Sequence, residues 1–408
     1  MYLDIDRCRS CGSSNLIDAF SLGCLALTGR FPGGEHEQIS AGPLDLILCN
    51  NCKLVQLRHN FDLDALYGHE YGYRSGLNET MRKHLAELVI DAKSRVDLLT
   101  SDIVLDIGSN DATLLKSYDD DKLCRWGVDP TIEQFKEFYP DEINTIPRIF
   151  EPQDFLDAAG EKAKIITSVA MFYDLVDPNA FVSGIANCLR SDGVWVLEQS
   201  YLPTMIEKNS YDTICHEHLA YYGLLQLSTL FQRHELKIID VVLNDANGGS
   251  FRVYVSHADA PFHVSPEVDK RIRWERSIGH EGIEPLRAFE QRIGKHREEL
   301  LEILTKLRSN GKSVYVYGAS TKGNTLLQYC GIDQSIVTAA ADRNPKKWGK
   351  RTPGTNIPII SEIDARRERP DYFLVLPWHF REAFLAREAS YLAEGGRMIF
   401  PLPELNIV

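Results

Sequence analysis

The chain has 408 residues, of which 44% are hydrophobic and 25% are charged. That length exceeds one small core and predicts two or three domains of a soluble globular protein. The net charge of −13 disfavours broad binding to nucleic acid or anionic membranes, although a local basic pocket could still hold a phosphate. The sequence contains neither an apolar run of 18 residues nor a signal-like N-terminus, so we expect a cytoplasmic protein without a membrane span.

Four of the nine cysteines form two Cys-x-x-Cys pairs near the N-terminus. The pairs are Cys8 with Cys11 and Cys49 with Cys52. Two intervening residues let both thiolates of a pair reach one ion, and two such pairs complete a tetrahedron. Four thiolates leave no open position for water, so the pattern predicts a structural zinc site. A redox dithiol or four ordinary buried thiols are the alternatives.

Residues 102–115 read as a strand, a tight glycine turn and the start of a helix. A second strand over residues 125–129 ends in an acid 23 residues after the acid of the first strand. Glycine permits close approach of a nucleotide, and the second acid can accept hydrogen bonds from both ribose hydroxyls. The candidate cofactor-binding residues are Asp106, Gly108, Asn110, Asp111 and Asp129. The turn lacks G-x-G-x-x-G, which makes NAD the weaker cofactor, and an ordinary α/β turn without ligand is the alternative.

This turn and its second acid resemble motifs I and II of class I S-adenosylmethionine (SAM) methyltransferases. Later strands over residues 163–168 and 193–198 extend the same predicted sheet. At the end of the first of these lie Phe172, a candidate cofactor contact, and Asp174, a candidate catalytic group. Ligands of open α/β sheets bind at this edge.

Residues 211–222 read YDTICHEHLAYY and hold the densest group of acid–base side chains in the chain. A buried imidazole or carboxylate must be paired or neutralised, so such density rarely serves packing alone. The candidate catalytic residues are His216, Glu217 and His218, and Tyr222 is a candidate substrate contact. The alternative for His218 by itself is a core histidine whose hydrogen bonds are satisfied.

Two further segments flank this predicted core. Residues 67–85 form a polar-aromatic loop, which is either a linker or a lid that presents Tyr71 and Tyr73 to a substrate, and helical periodicity follows over residues 84–99. Paired glycines precede a strand carrying Arg252, which could bind a phosphate or form a surface salt bridge. The charged helical stretch over residues 266–308 is interpreted as a solvated connector.

The last hundred residues repeat the strand–turn–helix pattern. A strand over residues 312–318 leads into a turn that bears Ser320, Lys322 and Asn324 and then a helix. A glycine-bearing turn with a lysine at a helix start is a plausible anion site, so these three are candidate substrate-binding residues. A purely structural or dimerising domain is the alternative.

The predicted fold class is α/β with three parts. Residues 1–75 form a small four-cysteine zinc module with a substrate loop, and residues 76–245 form a class I, Rossmann-like methyltransferase domain. Residues 246–408 form a second Rossmann-like domain that contributes to nucleotide-sugar binding. The oligomeric state, monomer or dimer, stays open.

Several motifs together carry a resemblance that spans essentially the whole chain. They are the four cysteines, the class I turn, Y-x-Y-R-S-G, Y-D-x-I-x-H-E-H, G-G-S-x-R and Y-G-A-S-x-K-G. In this combination the chain resembles sugar C-methyltransferases that act on nucleotide-linked 4-keto-deoxyhexoses. The resemblance implies that a base removes the proton beside a ketone and that the resulting enolate carbon attacks the SAM methyl. It also implies a nucleotide diphosphate between the central and C-terminal domains.

The same chemistry assigns roles to the candidate residues. His218 is expected to be the base, Glu217 to bind sugar hydroxyls or orient the imidazole, and Tyr71 or Tyr73 to contact the sugar. Well-known family members carry a tyrosine where this chain has Cys215, and a histidine where it has Asp174. The substrate, the methylated position or the reaction type could therefore differ.

Two other functions fit the sequence less well. An O- or N-methyltransferase on the same scaffold needs no carbon acid, so it would not depend on a ketone in the substrate. A non-catalytic protein would bind SAM or a nucleotide sugar without transfer, against which the intact acid–base motifs argue. A NAD-dependent sugar epimerase or dehydrogenase is disfavoured because the dinucleotide glycine fingerprint is absent.

Overall fold

The computed structural model describes residues 2–34, 36–62, 66, 73–119 and 122–408. Its strands in these ranges form sheets of two, four, six and seven strands. Tyr71 lies outside the described residues, so its expected contact with a sugar stays a prediction. Among the described helices, none combines the length and the apolar character that crossing a bilayer requires.

The N-terminal module is built from antiparallel strands. They are β1 Tyr2–Asp4, β2 Leu16–Ala26, β3 Ala41–Cys49, β4 Val55–Leu57 and β5 His59–Phe61. The hairpin of β2 and β3 begins with Leu16 opposite Cys49, and β4 pairs with the other edge of β3. Apolar residues on one face of β3, such as Leu44 and Leu46, are fully buried, and they form one continuous core with the C-terminal domain.

The central part contains the seven-stranded sheet. Its strands, with one short extra strand, are β6 Ile103–Ile107, β7 Cys124–Val128, β8 Ile143–Ile146, β9 Ala163–Val169, β10 Leu189–Ser200, β11 Ala220–Tyr221, β12 Leu236–Asn244 and β13 Ser250–His257. The helices here are α1 Glu79–Ser94, α2 Ile132–Phe135, α3 Pro152–Ala159, α4 Pro178–Cys188, α5 Leu202–Glu207 and α6 Leu224–Gln232. Strand β6 is buried throughout, as expected for a parallel strand covered on both faces.

The order of the central sheet is β12-β13-β10-β9-β6-β7-β8, with β13 antiparallel to both of its neighbours. Strand β13 thus completes the central sheet, and the domain boundary expected at residue 245 falls inside the last hairpin of that sheet. Strand β11 instead pairs with β4 and becomes the fourth strand of the N-terminal sheet. The segment of residues 211–222 therefore connects two parts of the molecule.

The C-terminal part is a six-stranded sheet of order β16-β15-β14-β17-β18-β19, parallel except for its last strand. The strands are β14 Val314–Tyr317, β15 Ala340–Asp342, β16 Ile359–Ser361, β17 Tyr372–Val375, β18 Arg397–Phe400 and β19 Asn406–Ile407. The helices from residue 266 onward are α7 Pro266–Ser277, α8 Glu284–Ser309, α9 Thr321–Cys330, α10 Glu362–Glu368, α11 Arg381–Arg387 and α12 Ala389–Ala393.

Three local expectations differ from the structure. Residues 266–308 are not a solvated connector, because α8 buries Leu286, Phe289 and Ile293 along one face in the C-terminal core. The helix expected after the glycine turn is replaced by tight turns, since Ala112 has a φ of 61°. Helix α1 starts earlier than predicted, where the Asn78 side chain accepts a hydrogen bond from the second residue of the helix.

Candidate functional site

A cavity of about 530 Å³ lies at the carboxyl ends of β6, β7, β9 and β10. Its volume suits a small-molecule ligand, and its position is the usual one for ligands of open α/β sheets. Sequence-predicted residues that line it are Tyr73, Asp106, Gly108, Asn110, Asp129 and Asp174. Lining residues that the sequence interpretation did not single out as site residues include Glu198, Gln199, Asn247 and Ser250.

The glycine turn and the second acid fix each other. Gly108 has a φ of 80°, and a Cβ at that position would lie 3.1 Å from the Met171 side chain. The backbone amide of Asn110 donates a hydrogen bond to one carboxylate oxygen of Asp129 at 3.0 Å. The other oxygen accepts from the amide and the hydroxyl of Thr131, both at 2.6 Å. A carboxylate has further lone pairs, so the fixed Asp129 can still accept from a ligand in the cavity.

Asp106 is buried at the end of β6 and lines the same cavity. Thr167 donates a 2.6 Å hydrogen bond to it. Burial, reinforced by the negative charge of Asp129, nevertheless raises the pKa of Asp106 to about 7. The carboxyl group is thus close to half-ionised at neutral pH, and a bound cation would shift it to the anion.

Asn110 and Asp111 hold the segment before α1 against the cavity. The Asn110 side chain accepts from the amide of Ser75 at 3.0 Å and donates to the carbonyl of Tyr73 at 3.2 Å. Asp111 forms an ion pair with Arg74 at 3.1 Å and accepts from a neighbouring amide. Asp111 therefore acts on the aromatic-polar segment, which presents the half-exposed Tyr73 to the cavity.

Phe172 and Tyr222 lie in the core and not at the cavity. Both are fully buried, their rings are 5.3 Å apart, and Phe172 also packs against Trp195. We therefore leave them out of the ligand contacts, although both were candidates from the sequence.

His216, Glu217 and His218 point to three different neighbours. His216 is buried, places its Nε2 atom 3.1 Å from the Gly42 carbonyl and meets Phe61 edge-on. Burial lowers its pKa to about 4, so it is a neutral imidazole packed against the N-terminal module. This placement removes it from the candidate acid–base groups.

Glu217 faces the N-terminal module as well. It accepts from the Thr28 hydroxyl at 3.4 Å, and a Cβ on Gly29 would lie 2.9 Å from its other oxygen. Burial raises the pKa of Glu217, and burial together with the charges of Glu217 and Asp174 raises that of Cys215. The thiol that stands in place of the family's tyrosine is consequently neutral and buried.

His218 does not line the large cavity but a separate small pocket, whose lining residues Tyr173 and Ser200 are chain neighbours of the cavity residues Asp174 and Gln199. Its Nδ1 atom is 2.7 Å from the Thr213 carbonyl, so Nδ1 carries the hydrogen of the neutral ring and Nε2 is the acceptor. The Tyr173 ring packs 4.1 Å away. Burial and the nearby charge of Lys322 lower the pKa of His218 to about 3.

One cation of the C-terminal domain, Lys322, lies near enough for its charge to act on His218. Lys322 donates a 2.7 Å hydrogen bond to the carbonyl of Asn247, which lines the large cavity. Burial, with the charges of Lys322 and Lys208, lowers the pKa of His379 to about 3. His379 was not among the residues that the sequence analysis singled out.

The other predicted substrate residues have structural partners. Ser320 caps α9 by accepting from Gly323 at 3.1 Å, and the fully buried Asn324 donates to the Thr28 carbonyl at 2.7 Å. Arg252 bonds Glu198 at 2.8 Å and Asp91 at 3.3 Å inside the protein. Arg252 therefore forms buried ion pairs and not a surface salt bridge, and its guanidinium group is not placed to bind a phosphate.

The four cysteines predicted from their spacing converge at one point. All four Sγ atoms lie within 4.8 Å of one another, and two pairs are 3.5 Å apart. Tetrahedral zinc with Zn–S bonds of about 2.3 Å requires sulfur separations of about 3.8 Å, so the group fits a structural zinc ion. Each knuckle ends in a left-handed residue, Gly12 and Lys53.

The first knuckle is tied to the central domain. The Asn179 side chain donates to the carbonyls of Arg9 and Ser10 at 3.0 and 2.9 Å, and Arg233 also bonds Ser10. The second knuckle leads into β4, which pairs with β11. The metal site thus supports the strand that follows His218.

Three family models match consecutive parts of the chain. A zinc binding domain matches residues 8–67, a methyltransferase domain residues 77–241, and a C-methyltransferase C-terminal domain residues 245–403. The C-methyltransferase NovU of Streptomyces niveus is 33% identical over 411 residues, which cover 99% of this chain and 97% of that protein. The chain belongs to the SAM-dependent C-methyltransferase family. Its α/β fold, SAM cofactor and zinc module are confirmed by these matches.

Two solved structures resemble the chain more weakly. A SAM-dependent methyltransferase from Clostridium acetobutylicum is 11% identical, covers 43% of this chain and 92% of its own, and has a TM-score of 0.34. The mitomycin 7-O-methyltransferase MmcR is 13% identical, covers 45% and 55%, and has a TM-score of 0.36. At these TM-scores neither likeness supports an argument about this chain.

Removal of one zinc ligand should destabilise the N-terminal sheet, which holds residues 211–222 through strand β11. We expect Cys49→Ser to lose bound zinc and to lower the free energy of unfolding by more than about 4 kcal/mol, with loss of methyl transfer. Metal analysis and thermal melting measure both effects. Cys24→Ser, at an exposed cysteine outside the cluster, is the control. Zinc content and melting temperature unchanged in Cys49→Ser would contradict the assignment.

SAM affinity should rise with pH around neutrality. Asp106 is half-protonated near pH 7, and the cationic cofactor favours its anion, so binding releases a proton and tightens as pH increases. We expect about tenfold tighter binding at pH 8 than at pH 6, measured by titration calorimetry. The amino group of SAM titrates in the same way with both proteins. Because Asp106→Asn lacks the ionisable carboxyl group, the difference between its SAM affinities at pH 6 and pH 8 should be smaller. If SAM affinity changed equally with pH in both proteins, the result would contradict a link between Asp106 ionisation and SAM binding.

Proposed function

We propose that this C-methyltransferase acts on a nucleotide-diphosphate-linked 4-keto-deoxysugar. The observation that carries the proposal is that Lys322 links the cofactor cavity to a neutral histidine, His218. Asn247 lines the cavity and accepts from Lys322, whose charge also acts on His218. Such an arrangement suits an acceptor with an anionic end and an acidic carbon–hydrogen bond.

The protein's contribution is proton removal and orientation. Nε2 of His218 takes the proton beside the ketone, the C–H electron pair forms a C=C bond, and the carbonyl pair moves to oxygen. When bound, SAM would supply the methyl group to the enolate carbon, and the S–C electron pair would leave with S-adenosylhomocysteine while the carbonyl re-forms. Tyr73 is half-exposed and lines the cavity, which supports it as the proposed contact for the sugar.

Substrate charge would activate the base. An imidazole with a pKa of about 3 is a weak base, and Lys322 is one cause of that low pKa. A diphosphate bound near Lys322 and His379 offsets this cationic charge and raises the pKa of His218. The base therefore strengthens when the nucleotide sugar is in place.

Asp174 is a second candidate for the base, because it lines the large cavity whereas His218 lines the separate small pocket. We assign Glu217 no direct contact with the substrate, because it bonds Thr28 and does not line the cavity. Methyl transfer to oxygen or nitrogen on the same scaffold remains the alternative that an exchange experiment separates.

Loss of the base should abolish enolisation. In heavy water without SAM, the wild type should introduce deuterium beside the ketone of dTDP-, CDP- or GDP-linked 4-keto-6-deoxyhexoses. We expect His218→Ala to slow this exchange by about 10²–10⁴-fold, followed by NMR and mass spectrometry. His263→Ala, at an exposed histidine, is the control.

Three results would change the assignment. If His218→Ala exchanged deuterium at the wild-type rate and Asp174→Asn lost the exchange, the base would be Asp174. Methyl transfer to oxygen or nitrogen without exchange would favour the alternative reaction. Neither exchange nor transfer with the three nucleotide sugars would contradict the proposed substrate class.

Removal of the Lys322 charge should weaken substrate binding and leave cofactor binding unchanged. A charge-assisted hydrogen bond to phosphate is worth about 1.5–3 kcal/mol, so Lys322→Ala should raise the KM for the nucleotide sugar by about 10–100-fold. Lys346→Ala removes an exposed lysine of the same domain and should have little effect. An unchanged KM in Lys322→Ala would show that the C-terminal domain does not bind the diphosphate.

A further inference from the structure

Gln199 has an unusual environment at the end of β10. Its side chain is only 2% exposed and lines the large cavity. Within the part of the chain that the structure describes, neither Oε1 nor Nε2 has a hydrogen-bond partner. A buried amide atom without a partner destabilises the folded protein, so an unpaired amide at a cavity indicates a ligand that supplies both partners.

The neighbouring Glu198, in contrast, has partners for both of its carboxylate oxygens. One of its oxygens contacts His84, and the other accepts from Arg252 at 2.8 Å and from Asn244 at 3.0 Å. These bonds outweigh burial and lower the pKa of Glu198, so it is a fixed anion. Both oxygens of the acid thus have protein partners, whereas neither polar atom of the adjacent Gln199 amide has one.

The backbone holds this amide firmly. Strand β10 lies between β9 and β13, where Gln199 is opposite Phe251 and the carbonyl of Glu198 accepts from Ala170 at 2.8 Å. Sites on central strands are positioned more accurately than sites on loops. Gln199 is therefore a pre-formed donor and acceptor.

Its place in the sheet favours the methyl acceptor over the cofactor ribose. Strand β10 is two strands from β6 and three from β7, which carries the approach to Asp129, so about 10–15 Å separate the strand ends. On the near side of the cavity Gln199 is accompanied by Asp174, Asn247 and Ser250. Lys322 donates to the carbonyl of Asn247 in this group, and its charge acts on His218.

We propose that Gln199 binds the ketone end of the acceptor, with Nε2 donating to the carbonyl oxygen and Oε1 accepting from a neighbouring hydroxyl. This inference rests on the proposed function. As the base removes the proton, the carbonyl electron pair moves to oxygen, and the hydrogen bond from Nε2 strengthens with that negative charge. When the carbon accepts the methyl group, the pair returns and the ketone re-forms.

Two substitutions test the donor. Gln199→Met keeps the volume and removes both polar atoms, and Gln199→Glu keeps an acceptor but loses the donor. We expect both to slow deuterium exchange into the 4-keto-6-deoxyhexose by about 10²–10³-fold in the absence of SAM, as for loss of one oxyanion donor. SAM affinity should change less than threefold, and Gln232→Met, on the exposed surface of α6, is the matched control.

Melting temperature separates this role from a structural one. Because the amide lacks protein partners, Gln199→Met should melt at or above the wild-type temperature, whereas a structural glutamine would destabilise the protein when replaced. Exchange in Gln199→Met within threefold of wild type would overturn the proposal. A tenfold loss of SAM affinity with intact exchange would overturn it too, by assigning the amide to the cofactor.

The wild-type protein identifies a failure of the proposed function. If the unmodified protein binds SAM but exchanges no ring hydrogen of the keto sugars, the substrate class is wrong and the role of Gln199 falls with it. If the wild type exchanges and Gln199→Met does so equally, the substrate class stands and only the role of Gln199 is wrong.

Discussion

The attachment of residues 215–221 to the N-terminal module is the constraint on which the site depends. His216 bonds a carbonyl of β3, Glu217 bonds Thr28, and β11 adds a strand to β4. The zinc ligands lie at the base of the same sheet. A metal outside the cavity therefore determines where His218 stands, because the chain on both sides of the histidine is fixed by the module that the metal folds.

Burial favours the neutral form of several ionisable groups around the site. The pKa values of Asp106 and Glu217 are raised, and those of His218 and His379 are lowered. Charges brought by ligands consequently have large effects, since little water screens them. Under the proposed function, a cationic cofactor would favour the anion of Asp106, and an anionic nucleotide would favour the protonated forms of His218 and His379.

The C-terminal domain is part of the same packed unit. Phe20 of the N-terminal sheet meets Phe289 of α8 at 5.6 Å, and Asn324 bonds the Thr28 carbonyl. Through Thr28 the C-terminal helix α9 supports Glu217, while Lys322 of the same helix reaches Asn247 at the cavity. One helix thus contacts both the N-terminal module and the rim of the cavity, so the three parts of the chain form one packed unit.

The sequence alone determined the features that depend on local spacing: the two cysteine pairs, the glycine turn with its two acids, and the buried parallel strands. These patterns are readable because the geometry they need is contained in a few neighbouring residues. Only the tertiary structure decided the directions of His216, Glu217 and His218, the burial of Arg252 and α8, and the isolation of the Gln199 amide. Irregular backbone has no period from which a side chain's direction follows, and the partners of these groups come from strands and helices distant in the chain.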